Sequence, residues 1–308
     1  ADGSYNRNVH GGHTHSTTCI MSSLAQLAEL TADTWLLERV RAFYDNGLKN
    51  ISDQLGWVIE NSNDEQDDRF LDRGEVNNTG DVVETALILG RLGYPQYLED
   101  AERILRCHLL PSQLRDIDFI VEPENPDNID GLRDVAARHR GAFGFPAPYG
   151  HEPVGCPEVK FNMDIVGGAV GSLCEAYRDA TCFDETGHHV NLLFDHETEA
   201  ICVDSNYTHD ALGIVLKRPG PLWIRQPSWV NRDELRLSID PRKARQTGSW
   251  LFVPEHPVGE PLSITYPLIE RDLALEHRGR EIRVRLRGDS VAAMDNFGAD
   301  LTYFPTLE

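Results

Sequence analysis

The sequence predicts an α+β multidomain chain, with a helical portion over residues 1–186 and an antiparallel β-sandwich over residues 187–308. Two observations carry that division. Through the first part, apolar residues recur at the spacing of amphipathic helices, in consecutive pairs joined by short breaks. After Gly187 the period drops to two, in short runs divided by turn signals.

The first helical pair is read from Met21, Leu24, Leu27 and Leu30, then Trp35, Leu36, Val40, Phe43 and Tyr44. Its break lies at Thr31-Ala32-Asp33 and its stop at Asn46-Gly47. A second pair runs from Thr79 to Leu92 and from Tyr97 to Leu110, turning at Gly93 and Pro95. Short connections make each pair an antiparallel hairpin. Between Pro111 and Pro157 the pattern dissolves into Pro, Gly, Asp and Arg. Long irregular loops in compact chains are commonly functional, and this one is expected to line a cleft. A last helix, from Asp164 to Thr181, carries Gly167, Gly168 and Gly171, which permit close approach of a neighbour. Strands are expected at 190–194, 201–204, 212–216, 222–225, 235–239, 262–266 and 282–286, with turns such as Pro219-Gly220 between them.

A formal net charge of −21 argues against nucleic acid or an anionic membrane as partner, since both would be repelled. No apolar run approaches the roughly 18 residues of a membrane span, and no basic segment followed by an apolar one opens the chain. The expectation is a soluble protein of a bacterial cytoplasm or periplasm. Lysine is confined to Lys49, Lys160, Lys217 and Lys243 while arginine is plentiful, a balance that fits a salty habitat or genomic base composition. Cys19, Cys107, Cys156, Cys174, Cys182 and Cys202 form no C-x-x-C or C-C pair. They read as scattered small core residues rather than a disulfide framework or zinc knuckle.

Three stretches carry residues suited to chemistry. His10-Gly11-Gly12-His13-Thr14-His15-Ser16 sits where a loop feeds the first helix. His13 and His15 there can bind a metal, hydrogen-bond sugar hydroxyls or transfer protons, or one can cap the helix while the other is exposed. Gly74-Glu75-Val76-Asn77-Asn78-Thr79-Gly80-Asp81 precedes an apolar helical run. A carboxylate and two carboxamides at such a place can reach into a cleft, with Thr79 or Asp81 serving as the cap and Glu75 outside that role. Phe161-Asn162-Met163-Asp164 opens the last helix, where Asp164 is either an N-cap or a carboxylate aimed at the same cleft.

At these three places the chain resembles the β-L-arabinofuranosidase family of glycoside hydrolases, from about Gly11 to Asp295. That family's fold is an (α/α)6 barrel followed by β-sandwich domains, so the resemblance implies a partial (α/α) toroid, the C-terminal part only. Gly12-His13 resembles the family's Gly-His helix start, whose histidine lies in the sugar pocket. Gly74-Glu75-Val76-Asn77 resembles its Glu-x-Cys element, in which Glu is the general acid/base and Cys holds zinc. Glu60 resembles a further zinc-binding Glu. The departure is large: Asn77 replaces one cysteine, and the adjacent cysteines that supply nucleophile and zinc ligands fall near Asp164 and Ile165.

What the resemblance then implies is a two-carboxylate glycosidase, with Glu75 as acid/base and Asp164 as the opposing carboxylate. His13, His15, Asn77 and Asn78 are the candidate substrate-binding residues. No cofactor is expected, and no tightly bound structural zinc. The expected partners are a carbohydrate substrate and a partner chain or second copy completing the helical barrel. Two alternatives remain open: a polysaccharide lyase, using Asn77 or Asn78 against a uronate with His13, His15 or a Tyr as base, and a non-catalytic sugar-binding or scaffold subunit.

Overall fold

The computed structural model describes residues 2–62, 73–150, 163–299 and 302–308, with the side chains of His10, Met163 and Asp164 outside that description. It is a mixed α and β structure, helices first. A short α1 (Arg7–His10) leads into α2 (His15–Thr31) and α3 (Thr34–Asn46). The turn between α2 and α3 forms because Ala32 takes the left-handed conformation and Asp33 caps the new helix, its carboxylate accepting from the Leu36 N–H at 3.0 Å. α4 (Val76–Arg91) and α5 (Gln96–Ile104) form the second hairpin, α5 running on through one wider turn over Leu105–Leu109. A surface excursion with the short α6 (Val135–His139) precedes α7 (Met163–Asp179).

α4 is the centre of the helical part. Its buried residues include Val76, Val82, Val83, Ala86, Leu87, Ile88 and Leu89, and it packs against α2, α5 and α7, with α3 packed in turn against α2. A helix apolar on every side must be surrounded, and this one is. Close approach is set by glycine: a Cβ on Gly80 would meet Ser172 Oγ at 2.5 Å, and one on Gly168 would meet Asn77 Cβ at 2.9 Å. Gly167 and Gly171, expected to share that role, instead face open space.

The strands are β1 (Thr181–Asp184), β2 (Gly187–Val190), β3 (His196–Glu197), β4 (Ile201–Asp204), β5 (Leu212–Leu216), β6 (Leu222–Arg225), β7 (Arg236–Leu237), β8 (Arg245–Thr247), β9 (Trp250–Val253), β10 (Pro261–Thr265), β11 (Glu270–His277), β12 (Arg280–Arg287) and β13 (Ser290–Met294). One sheet has the order β1-β2-β6-β9-β8 and a second β3-β4-β5-β10-β7. Their inward residues, among them Val190, Ile224 and Val253 from the first and Val203, Ile214 and Leu262 from the second, share one core. A third sheet, β11-β12-β13, buries Leu275, Ile282 and Val284 against Leu55 and Cys107 of the helical part.

Three expectations are corrected here. The sheet is not wholly antiparallel: β2 and β6 pair in parallel, because the chain leaves β2 for three strands of the second sheet and returns alongside it in the same direction. Thr181 belongs to β1 rather than to α7, and the β1–β2 hairpin straddles residue 187. Of the described cysteines only Cys107 is buried; Cys19, Cys174 and Cys182 are exposed and Cys202 lies between. Helical period places Cys19 and Cys174 on the outward faces of α2 and α7.

One fully buried carboxylate fastens helices to strands. Glu102 of α5 receives Arg106 Nε at 2.8 Å, the Arg225 guanidinium from β6, and the Leu193 N–H at 2.9 Å. Arg225 Nε continues to the Asn191 carbonyl at 2.6 Å, and the Arg106 guanidinium lies over the rings of Phe194 and Tyr207. Burial alone would raise the Glu102 carboxyl, but the charges of Arg106 and Arg225 outweigh it and hold it below its ordinary value. Removing one member of a buried ion cluster strands the others without solvent. Glu102→Gln is therefore expected to cost on the order of 3 kcal/mol in urea unfolding; a loss below about 1 kcal/mol, as for an exposed pair, would contradict this account.

Candidate active site

The helices bring one set of ends together. On α2 and α4, Thr18 meets Asp81, Ser22 and Gln26 meet Glu84, and Glu29 meets Arg91, so residue numbers rise together along both helices. On α4 and α7, Asn77 meets Gly168 and Gly80 meets Ser172 in the same sense. The three helices run parallel, and the N-termini of α2, α4 and α7 share one end. Helix N-termini carry unpaired N–H groups and a partial positive charge, which suits anionic or hydroxyl-rich groups.

Glu75 sits at that end as the residue before α4, in extended conformation, with no side-chain bond to the helix backbone. The sequence placed it ahead of the helix and Asn77 and Asn78 with it; in the structure the helix begins at Val76, so both asparagines lie in its first turn. A lattice of short backbone bridges holds Glu75 in place. Its N–H donates to the Val58 carbonyl at 3.2 Å, Gly74 pairs with Ile59 and donates to the Pro146 carbonyl at 2.8 Å, and Trp57 Nε1 donates to the same carbonyl at 2.7 Å. Gly74 cannot carry a side chain, since a Cβ would lie 2.4 Å from Trp57 Nε1. Alongside, Arg73 Nε meets Glu60 at 3.2 Å and its guanidinium covers the Phe145 ring at 3.8 Å.

The α2 end is fixed to the same lattice. His13 bridges Asn61, the Thr14 N–H donates to the Glu60 carbonyl at 3.0 Å, and Asn78 Nδ2 donates to Thr14 Oγ1 at 2.9 Å. This leaves His13 Nε2 at 3.4 Å from Glu75 Oε2, and the His13 and His15 rings edge-to-face at 6.1 Å. The His13 side chain is 52% exposed and that of Glu75 only 7%, so the imidazole is the solvent-facing member of the pair. His15 Nε2 lies 3.7 Å from Asp81 Oδ2, which also accepts from Thr18 Oγ1 at 2.7 Å.

The structure therefore brings together His13, His15, Glu75, Asn77 and Asn78. Asn78 is fully buried and turned to Thr14, and Asn77 is buried against α7. The Asp164 side chain lies outside the described residues; its backbone position is one helical turn ahead of Gly168, on the row that approaches Asn77. Asp81 and Glu84 are the site carboxylates that sequence reasoning missed. Asp81 was noticed only as a possible cap, and nothing local to it signals Thr18 and His15, which reach it from α2. The positions of the cysteine-rich zinc site do not fit that metal: Asn77 offers an amide, Ile165 is buried hydrocarbon, and Glu60 is paired with Arg73.

No protein-family model and no curated protein sequence matches this sequence. Solved structures do match. The GH127 β-L-arabinofuranosidase of Geobacillus stearothermophilus T6 has a TM-score of 0.58 at 18% identity, over 91% of this chain and 46% of that one. A GH127 β-arabinofuranosidase gives 0.64 at 14%, over 91% and 47%, and a protein described as a glycoside hydrolase gives 0.57 at 11%, over 91% and 51%. The chain spans about half the length of these structures. The resemblance read from the sequence is met at the level of fold. Among the described residues no helix is long and apolar enough to cross a membrane.

Burial, with the charges of Glu84 and Glu75 behind it, pushes the Asp81 carboxyl from an ordinary 3.8 up to about 7 against the opposing hydrogen bond from Thr18. Since the folded-state value lies above the unfolded one, the protonated carboxyl favours the fold in acid, and that contribution is lost as the pH rises from about 4 through about 7. Asp53 and Asp289, each raised to about 6 chiefly by desolvation, act in the same direction. Thermal melts at about pH 5 and about pH 8 should show Asp81→Asn more stable than the parent at the higher pH, with a smaller difference between the two. An undiminished difference would mean that Asp81 ionises normally.

Proposed function

We propose that the chain forms the substrate-binding half of a glycoside hydrolase acting on the end of a poly- or oligosaccharide, with residues 1–186 supplying the site and residues 187–308 buttressing it. The observation that carries this reading is the Glu75 carboxylate, nearly buried where three helix N-termini meet and 3.4 Å from the solvent-facing His13. The fold shared with GH127 β-L-arabinofuranosidases supports it.

In this reading Glu75 protonates the departing glycosidic oxygen. Asp164 is the opposing carboxylate: either it attacks the anomeric carbon, and Glu75 then takes the proton of the water that displaces it, or it takes the proton of a water that attacks directly. Its motivation is the backbone position one turn ahead of the contact between Gly168 and Asn77. His13 and His15 contact sugar hydroxyls, while Asn78 keeps the α2 end in register through Thr14. Asp81, raised to about 7 mainly by burial, limits the negative charge around Glu75 below that pH.

The helical array is completed by a further helical segment against the outer sides of α2 and α7. There Ile20, Leu27 and Leu30, and Val170 and Tyr177, are exposed, an apolar surface of the kind that marks an interface. An apolar reporter dye is expected to bind the isolated chain, and Leu27→Glu with Leu30→Glu to reduce that binding; equal binding by both proteins would remove this face as the interface.

The central test is turnover. Glu75→Gln should lower turnover on a cleaved oligosaccharide by more than about a hundredfold, as loss of a general acid does, with an unchanged circular dichroism spectrum. Full activity of this variant on a substrate with a poor leaving group would refute the assignment.

A further inference from the structure

Beside the Glu75 site lies a second cavity, of about 260 Å³, between the 49–62 segment and the turn that joins β11 to β12. It is smaller than the roughly 300–1,000 Å³ of sites for drug-sized ligands, a size for one ring rather than a chain. Trp57 and Ile282 are buried behind its wall, Trp57 with the His277 ring edge-on at 4.9 Å, and Asn50, Asn61, Lys49 and Arg278 stand around it. A rim of amides and cations is the composition that orients a ring with polar and anionic substituents.

Lys49 and Arg278 are both exposed at this one cavity, and neither pairs with a carboxylate among the described residues. Arg278 also holds a left-handed conformation, φ 53°, followed by Gly279 at φ 75° in a two-residue hairpin turn. Asn, Asp or Gly adopts that first position without penalty, whereas arginine there is strained and in the structure stands at the cavity mouth. Of the two acidic residues lining the cavity, Asp53 is turned to the backbone, accepting from Leu55 and Trp57 at 2.8 and 3.1 Å, and Glu276 is exposed.

The cavity is joined to the first site by one strand-like segment. Ile59 and Asn61 line it, while their backbones bridge Gly74, the neighbour of Glu75, and His13. We propose that it is a subsite for an anionic sugar residue, a uronate or a sulfated ring, adjacent to the residue processed at Glu75. This rests on the reading of the chain as a glycan-processing protein. The two cations meet the carboxylate or sulfate, and the Asn50 side-chain oxygen, its nitrogen being bonded to the Asn46 and Gly47 carbonyls, accepts from a ring hydroxyl.

Calorimetric titration with galacturonic acid oligomers, sulfated galactose oligomers and neutral galactose oligomers of equal length tests it. An anionic series should bind at least tenfold tighter than the neutral one, and the two anionic arms separate carboxylate from sulfate. Lys49→Ala with Arg278→Ala should erase that preference, both substitutions lying on exposed side chains, with thermal melts verifying the fold. Equal binding of neutral and anionic series, or a preference surviving the double substitution, would overturn the subsite. Failure is distinguishable from failure of the catalytic reading: anionic preference without any turnover leaves the subsite standing, and turnover of neutral glycans without preference leaves only the hydrolase.

Discussion

The structure is organised by the need to enclose α4. Its sequence from Val76 to Gly90 leaves almost no face for water, so neighbours must cover it on several sides, and α2, α5 and α7 do. Two of those neighbours approach where a bulky side chain is lacking, α7 at Gly80 and Gly168 and α5 at Gly90, where a Cβ would meet Leu98 at 2.5 Å. Because α2 and α4 each return through a hairpin partner, the helices in contact with α4 on either side, α2 and α7, run in its own direction. The convergence of three N-termini thus follows from packing, before any functional residue is considered.

The lattice around residues 58–61, 73–75 and 144–146 does the finer positioning. It is made of backbone bonds between segments too short to be strands, and it fixes both Glu75 and His13 to one rigid piece. A second anchor, the buried Glu102 with Arg106 and Arg225, ties α5 to β6 and to the Leu193 backbone. The sheets are therefore joined to the helices by directional charges rather than by apolar contact alone. Such clusters tolerate little displacement, because each charge depends on the other two for its solvation.

Much of this was legible in the sequence. The helical period and the Thr31-Ala32-Asp33 break marked α2 and α3 to within a few residues, and β4, β5 and β6 coincide with their alternating runs. Glu75 and the pair His13 and His15 stood out separately, each at a loop-to-helix junction, and only the structure places them side by side. What was not legible is tertiary. β9 and β11 lack a clean alternation of apolar and polar residues, since Trp250 and Phe252 are only half-buried and β11 carries charges on both sides. The parallel pairing of β2 with β6 depends on an excursion through the second sheet that no local pattern encodes. Asp81 is one of many acidic residues until Thr18 and His15 are brought to it from another helix.

Electrostatics at the shared end then set opposing demands. Three helix N-termini favour negative charge there, and Glu75 supplies it at the position closest to the α4 terminus. Further down the same helix, beyond that first turn, Asp81 and Glu84 add two more carboxyls, and both are only partly exposed. Burial is the larger reason that Asp81 holds its proton up to about 7, and repulsion from Glu84 and Glu75 adds to it. The Ser22 and Gln26 donors relieve Glu84, and Thr18 relieves Asp81 only in part. The arrangement thus restrains charging of the second carboxyl, one helix turn or two along α4 from Glu75 and 3.7 Å from the His15 imidazole. The geometry that gathers the helix ends therefore also crowds carboxyls, and burial together with that crowding keeps the end from accumulating a full charge on each of them.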